Sequence, residues 1–101
     1  MLPAEGAQLF AVLGRRWTPH VLFLVCQRPA RFTELQRAVP DISATSLNDR
    51  LRDLIRLGFV VRRAYPGPPL SSCYEATRAG RALGEQLRQM VVAAQQGGLL
   101  A

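Results

Sequence analysis

The sequence has no lysine, few cysteines and no long apolar run. All 13 basic residues are arginine. Two cysteines are too few for the disulfide framework of a small secreted protein. No apolar stretch approaches the roughly 20 residues that a membrane span requires, and no signal peptide opens the chain. We therefore expect a cytoplasmic protein that has no membrane partner.

Catalytic and metal-binding patterns are also missing. The sequence has no Gly-rich phosphate loop, no Gly-x-Ser-x-Gly motif and no pair of carboxylates spaced for acid-base chemistry. His20 is the one histidine, and no second ligand accompanies it in the sequence. We expect no enzyme activity, no catalytic residue, no metal site and no cofactor.

Positive charge dominates the composition. Seven acidic residues against the arginines leave a net charge of +6, which favours a polyanionic partner such as nucleic acid or an anionic membrane surface. Arginine suits phosphates and guanine edges, but a GC-rich coding bias produces the same abundance. Charge alone does not choose between these partners.

The length of 101 residues and a hydrophobic content of 49% fit one domain over 1–101. Helical spacing of apolar residues predicts a first helix over 4–13, which Gly14 ends. A second helix begins with Thr18 as its N-cap and Pro19 as its first residue. This helix is apolar on all sides as far as Cys26, so we expect it at the centre of the core.

A helix-turn-helix is predicted over 33–57. After a short strand at 31–32, Thr33 and Gln36 match a capping box for a third helix that ends before Pro40. Ser43 is the N-cap of a fourth helix that Gly58 closes. Two helices joined by a tight turn are typical of this motif.

A β-hairpin is predicted over 59–76, directly after the fourth helix. Its strands are 59–65 and 72–76, and the Pro-Gly-Pro-Pro segment forms the turn. Thr77 caps a last helix over 77–96. The fold class is therefore α+β and mainly α.

The outward face of the fourth helix suits DNA binding. Short polar side chains at its N-terminal end can meet base edges in a major groove, with arginines on the groove walls. Hairpin arginines can reach phosphates or the minor groove. The alternative is a solvated face with local ion pairs such as Asp49 with Arg52. The candidate DNA-binding residues are Arg31, Ser43, Thr45, Ser46, Asn48, Arg50, Arg52, Arg62 and Arg63.

The last helix carries an apolar stripe for which so small a domain leaves no partner. Such a helix commonly buries its stripe against a second subunit, here together with the first helix. The alternative is packing against its own domain. The candidate dimer-interface residues are Leu9, Leu83, Leu87, Met90 and Val91.

Four segments together resemble the HxlR-type branch of the winged helix-turn-helix regulators, within the MarR-like superfamily. They are LGRRWTPHVL, RFTELQRAVPDIS, LNDRLRDLIRLGFVVRR and YEATRAG, and the likeness covers about residues 9–84. The resemblance implies a bacterial transcription regulator with a two-stranded wing. It also implies a homodimer, built through the terminal helices, on a palindromic operator in double-stranded DNA.

The sequence departs from that family pattern in its cysteines. Many relatives have a sensor cysteine in the first helix, where Ala4 stands here, and Cys73 replaces the acidic residue expected before the wing tyrosine. Cys73 is the redox candidate, and Cys26 is expected to be an inert apolar residue. Three interpretations stay open: a sequence-specific regulator, a protein-protein interaction module, and a regulator that responds to redox state or to an unknown small molecule.

Overall fold

The computed structural model describes residues 1–67 and 71–98. Within them lie five helices and one two-stranded antiparallel sheet. The mainly helical α+β class is confirmed, and the predicted turn over 66–69 lies partly outside the described residues. The elements in chain order are α1 Ala4–Leu13, α2 Thr18–Gln27, α3 Phe32–Ala38, α4 Ala44–Arg56, β1 Val60–Tyr65, β2 Ser71–Ala76 and α5 Arg78–Gln96.

The core surrounds α2, as the sequence predicts. Val21 and Leu22 are fully buried. From α4, Leu47, Leu51 and Leu54 join them, since residues spaced three and four apart share one helix face. This one-sided burial holds α4 against the domain and leaves its opposite face in solvent.

Two of the predicted helix caps are confirmed. Ser43 Oγ accepts a hydrogen bond from the Ser46 amide at 3.0 Å at the start of α4. Thr77 Oγ1 accepts from the Gly80 amide at 3.0 Å and donates to the Gly58 carbonyl at 2.6 Å. Gly58 itself has a φ of +81°, which favours glycine at the end of α4. Thr77 therefore joins the start of α5 to the end of α4.

The predicted starts of α2 and α3 are wrong. Trp17, with a φ of 78°, is the N-cap of α2, and Thr18 is a buried helical residue. Helix α3 begins at Phe32, and the amide of Arg31 donates to Glu34 Oε1 at 2.8 Å. Thr33 is therefore already inside the helix. The strand-like pairing predicted for 31–32 lies one residue earlier, where Ala30 exchanges two backbone hydrogen bonds with Tyr74 of β2, at 3.0 and 2.8 Å.

Two glycines allow α5 to approach its neighbours closely. A Cβ on Gly80 would collide with the Phe59 carbonyl, and one on Gly84 would collide with Cys26 Sγ. The Cys26 thiol donates to the Gly80 carbonyl at 3.2 Å across this contact. Gly80 therefore lets α5 approach the backbone at Phe59, and Gly84 lets it approach the Cys26 side chain of α2.

This close packing corrects one expectation about the apolar stripe of α5. Leu87 belongs to the core of its own chain, and Leu83 packs against that core. The expectation that the stripe has no partner inside the domain is therefore wrong for these two residues. Met90 and Val91, farther along α5, are exposed.

Helix α1 packs least well of the five described helices. None of its residues is buried, and Phe10 is 59% exposed. Within the described residues, no single helix is long and apolar enough to cross a membrane, and α1 and α2 reach that length only jointly, with a 90° bend between them. Helix α1 thus extends from the domain as an arm with an uncovered apolar surface.

Candidate nucleic-acid interface

The N-terminal tip of α4 presents short polar side chains. Thr45 and Asn48 are exposed, and Ser46 is half-buried. Ser43 Oγ donates to Ser46 Oγ at 3.0 Å while capping the helix. The hydroxyl proton of Ser46 therefore remains available to an outside acceptor. The free amides of the first turn add a site that favours negative charge.

Arg50 does not extend into solvent as the sequence suggests. Its side chain is only 17% exposed, and Nε lies 3.3 Å from Asp53 Oδ2, one turn farther along the helix. The pair has the distance of an ion pair without the alignment of a hydrogen bond. The sequence predicts Arg50 as a free side chain for the groove wall. The structure corrects this prediction, because buried Asp53 holds the Arg50 guanidinium.

Asp53 also attracts two further arginines. Arg15, in the turn between α1 and α2, donates from Nη1 to Asp53 Oδ2 at 3.2 Å. Arg56 approaches Oδ1 at 3.8 Å from the end of α4. The Asp53 side chain is only 8% exposed, and several cations near one buried carboxylate offset the cost of removing it from water.

Sequence reasoning missed this cluster. The spacings from Arg50 to Asp53 and from Asp53 to Arg56 are three residues each, which on a helix surface marks neighbouring side chains. That signal was available. The ion pair that illustrated the alternative interpretation, Asp49 with Arg52, is absent from the described part of the chain, where both side chains are exposed.

The wing, meaning the hairpin over 59–76, holds its two arginines differently. Arg62 is exposed, and its Nε donates to Ser72 Oγ at 3.2 Å. Arg63 Nε donates to Glu75 Oε2 at 2.7 Å, so a carboxylate balances its charge. Of the two, Arg62 keeps an uncompensated positive charge for a phosphate.

The outer face of the wing carries a small polar network. Arg63 and Cys73 are directly opposite each other in the strand register, and Tyr65 donates to Glu75 Oε1 at 2.9 Å. These hydrogen bonds lower the pKa of the Glu75 carboxyl, with Arg63 the larger cause. The bond to Glu75 raises the pKa of the Tyr65 phenol.

The two cysteines have different surroundings. Burial raises the pKa of the Cys26 thiol, so its reactive thiolate is scarce near neutral pH. Cys73 is half-buried in β2. No cluster of three or more potential metal ligands occurs among residues 1–67 and 71–98.

The predicted DNA-binding residues thus occupy α4 with its cap, β1 and the start of α3. Helix α4 leads through Gly58 directly into β1, where the amide of Phe59 donates to the Leu54 carbonyl at 2.9 Å. Arg31 is the N-cap of α3 and follows Ala30, which pairs with Tyr74, the β2 partner of Arg62. A helix tip with free donors can read base edges, and an arginine-bearing ribbon that continues from the other end of the same helix can hold phosphates.

Known proteins share both the sequence pattern and the fold. The profile of the HxlR-like helix-turn-helix family matches residues 12–97. The HTH-type transcriptional regulator YodB of Bacillus subtilis is 32% identical over 87 residues, which are 86% of this chain and 78% of YodB. The reduced form of YodB superposes with a TM-score of 0.84 at 30% identity, covering 95% of this chain and 94% of that one. The redox regulator HypR in its reduced form gives 0.82 at 27% identity, with 92% of each chain covered.

Proposed function

The chain belongs to the HxlR-like helix-turn-helix family of transcriptional regulators, and from that membership we propose that it binds double-stranded DNA sequence-specifically as a homodimer. The tip of α4 enters the major groove, and the wing contacts the flanking backbone or minor groove. The protein acts in the cytoplasm, on a palindromic operator. The observation that carries the proposal is the exposed polar tip of α4 on an otherwise core-packed helix.

Direct readout is assigned to residues at the tip. Thr45, Ser46 and Asn48 offer hydroxyl and amide groups that hydrogen-bond base edges. Ser43 supports them by capping the helix, since its hydroxyl accepts a hydrogen bond from the Ser46 amide. Asp49, on the same exposed side, suits an amino group of cytosine, since a carboxylate accepts from that donor.

Contacts to the DNA backbone are assigned to exposed arginines outside the tip of α4. Arg52 on α4 and Arg62 on β1 supply cations for phosphates on either side of the recognition helix. Arg63 contributes less, because Glu75 already neutralises it. Arg31, at the start of α3, is a further phosphate ligand in this proposal.

Dimerisation is assigned to the uncovered surfaces of α1 and the end of α5. Leu9 is half-buried, whereas Met90 and Val91 are exposed at 66% and 46%. The last nine residues of α5, after Leu87, span about 13 Å at the helical rise of about 1.5 Å per residue. Covering such surfaces with a second copy removes apolar area from water and produces a two-fold pair.

Selection and binding on DNA test this proposal. The purified protein selects a duplex from a randomised library, and its affinity for the selected duplex is compared with that for a scrambled duplex. We expect preference for the selected sequence by at least about 10³-fold, with affinity falling steeply as salt rises. Failure to enrich any sequence would instead favour the protein-protein interaction module.

A redox-responsive regulator is the second candidate, because one similar structure is named a redox regulator. In this chain the candidate sensor is Cys73, which is half-buried on the outer face of the wing opposite Arg63. Treating the protein with hydrogen peroxide should then weaken binding to the selected duplex in the wild type and spare Cys73→Ser. Equal responses in both proteins would remove this candidate.

A further inference from the structure

Asp53 connects the base of the α1 arm to the recognition helix. Its carboxylate is buried on α4, and Arg15 reaches it from the turn that joins α1 to α2, 38 residues earlier in the chain. Arg15 Nη1 lies 3.4 and 3.2 Å from the two carboxylate oxygens, so one guanidinium nitrogen contacts both. The contact is thus a specific geometric link between two elements that are distant in sequence.

We propose that Asp53 is a positioning residue, which through Arg15 ties the orientation of the α1 arm to the angle at which α4 meets DNA. This inference rests on the proposed function, since it needs both a DNA-reading helix and a dimer held through α1. It adds a role for two residues that make no DNA contact in the proposal above.

The position of Asp53 on α4 makes the link effective. Ser46 and Asp53 are seven residues apart, which is two turns, so they lie on the same face and about 10 Å from each other along the axis. A tilt of about 10° around Asp53 would therefore move Ser46 by about 2 Å. Hydrogen bonds to base edges tolerate a change of only a few tenths of an ångström in the donor–acceptor distance.

The arm itself is suited to transmit an orientation. Helix α1 has no fully buried residue and contacts the domain through half-buried residues such as Leu9 and Leu13, so few contacts hold its direction. In the proposed dimer the direction of α1 depends on the partner subunit. Gly14 follows the last residue of α1, and Arg15 comes directly after Gly14. A movement of the arm therefore reaches Asp53 through a single side chain.

The cluster also decides what Arg50 does. Asp53 holds the Arg50 guanidinium at 3.3 Å and in a mostly buried position. Without the carboxylate, Arg50 would be free to extend towards phosphates, which increases affinity for any sequence. Loss of Asp53 should thus weaken sequence discrimination in two ways: a less defined helix angle and a stronger non-specific contact.

Paired substitutions test the link against matched controls. Asp53→Asn and Arg15→Gln remove the charges, while Glu85→Gln and Arg16→Gln remove the same charges at exposed positions that the proposal assigns to no DNA contact. Each protein is titrated with the duplex selected by the wild type and with its scrambled version. Circular dichroism at the same temperature checks that each variant is folded.

We expect Asp53→Asn and Arg15→Gln each to lower the ratio of selected to scrambled affinity by about 3- to 30-fold. The double variant should lower it no further than the stronger single variant, because both act through one contact. The two control variants should leave the ratio within about twofold. If Asp53→Asn fails to fold, Arg15→Gln alone tests the link, since its side chain is 52% exposed.

Three results would overturn the inference. Arg15→Gln could weaken binding to both duplexes equally and reduce the slope of log affinity against log salt concentration by about one. That result would indicate a direct contact between Arg15 and a phosphate. Asp53→Asn could match Glu85→Gln on both duplexes. The effects of the two substitutions could multiply in the double variant. A wild type that selects no sequence would instead contradict the proposed function, and this inference with it.

Discussion

Arg63 and Glu75 join the two strands of the wing through an ion pair in which Nε donates to Oε2 at 2.7 Å. Their strand positions are not directly opposite, because Arg63 pairs with Cys73 in the register and Glu75 with Val61. The contact is therefore diagonal across the outer face. It determines which wing arginine is free for DNA and how the wing responds to pH.

The first prediction concerns the Tyr65 phenol, which donates to the same carboxylate. Its pKa lies above the ordinary 10.0, because the protonated phenol donates a hydrogen bond to Glu75 that the phenolate cannot make. We expect Glu75→Gln to return the pKa of Tyr65 towards 10.0, as measured by ultraviolet absorbance of the phenolate. Glu85→Gln on α5 is the control and should leave the titration unchanged. Superimposable curves for wild type and Glu75→Gln would contradict the network.

The pH dependence of wing stability follows from the same shifts. The pKa of Glu75 is lowered below 4.5, so its stabilisation is present above pH 4.5 and is lost as pH falls through the lowered value. The pKa of Tyr65 is raised, so its contribution is present below pH 10.0 and is lost as pH rises through the raised value. Amide hydrogen exchange of β1 and β2 against pH should show both losses in wild type and neither in Glu75→Gln.

The second prediction concerns the close approach of α5. Gly80→Ala should lower the free energy of unfolding by about 1–3 kcal/mol, because the added methyl group meets the backbone carbonyl of Phe59, which cannot rotate away. Urea unfolding measures the change. Gly6→Ala in α1 is the matched control, since its methyl group meets only the flexible Leu2 side chain. It should be neutral or stabilising by up to about 1 kcal/mol, and an equal loss in both variants would argue against this contact.

The third prediction separates phosphate contacts from charge in general. Arg52→Ala should reduce the slope of log affinity against log salt by about one, on selected and scrambled duplexes alike. Arg88→Ala removes the same charge from α5, where Glu85 already pairs with it at 2.7 Å, and should leave the slope unchanged. Fluorescence anisotropy at several salt concentrations measures both. If the two variants behave alike, net charge rather than a contact at α4 governs binding.

The fourth prediction concerns the dimer. Phe10→Glu and Met90→Glu should each shift sedimentation equilibrium towards monomer and weaken operator binding, because a charge cannot be buried against an apolar partner. Ile55→Glu changes an exposed apolar residue on α4 instead and should leave the assembly state unchanged. A wild type that sediments as a monomer at all concentrations would remove the dimer from the proposal.

Much of the fold could be predicted because it depends on local signals. Ser43 and Thr77 cap their helices by contacts within three residues, and the spacing of Leu47, Leu51 and Leu54 marks the buried face of α4. The starts of α2 and α3 could not be found this way. The left-handed conformation of Trp17 precedes α2, and pairing with Tyr74, 44 residues away, draws Ala30 into a bridge before α3.

The candidate site was partly predictable for the same reason. The polar tip of α4 follows from helical periodicity, so its residues were identified. The role of Arg50 depends on Asp53 being buried, and that burial depends on Arg15 arriving from a distant turn. The packing of Leu83 and Leu87 depends on how closely Gly80 lets α5 approach Phe59 and Gly84 lets it approach α2. The three-residue spacing of Arg50, Asp53 and Arg56 indicates neighbouring side chains, but it does not indicate that Asp53 is buried or that Arg15 reaches it.

Hydroxyl-radical footprinting on the selected duplex tests the central claim most directly. A two-fold dimer that presents two α4 tips should protect two symmetric patches, with centres about one helical turn, or about 10 base pairs, apart. The wings should protect the DNA backbone that flanks these two patches. In Arg62→Ala this flanking protection should disappear, while the two central patches remain protected. A single asymmetric patch, or equal protection of a scrambled duplex, would contradict the account.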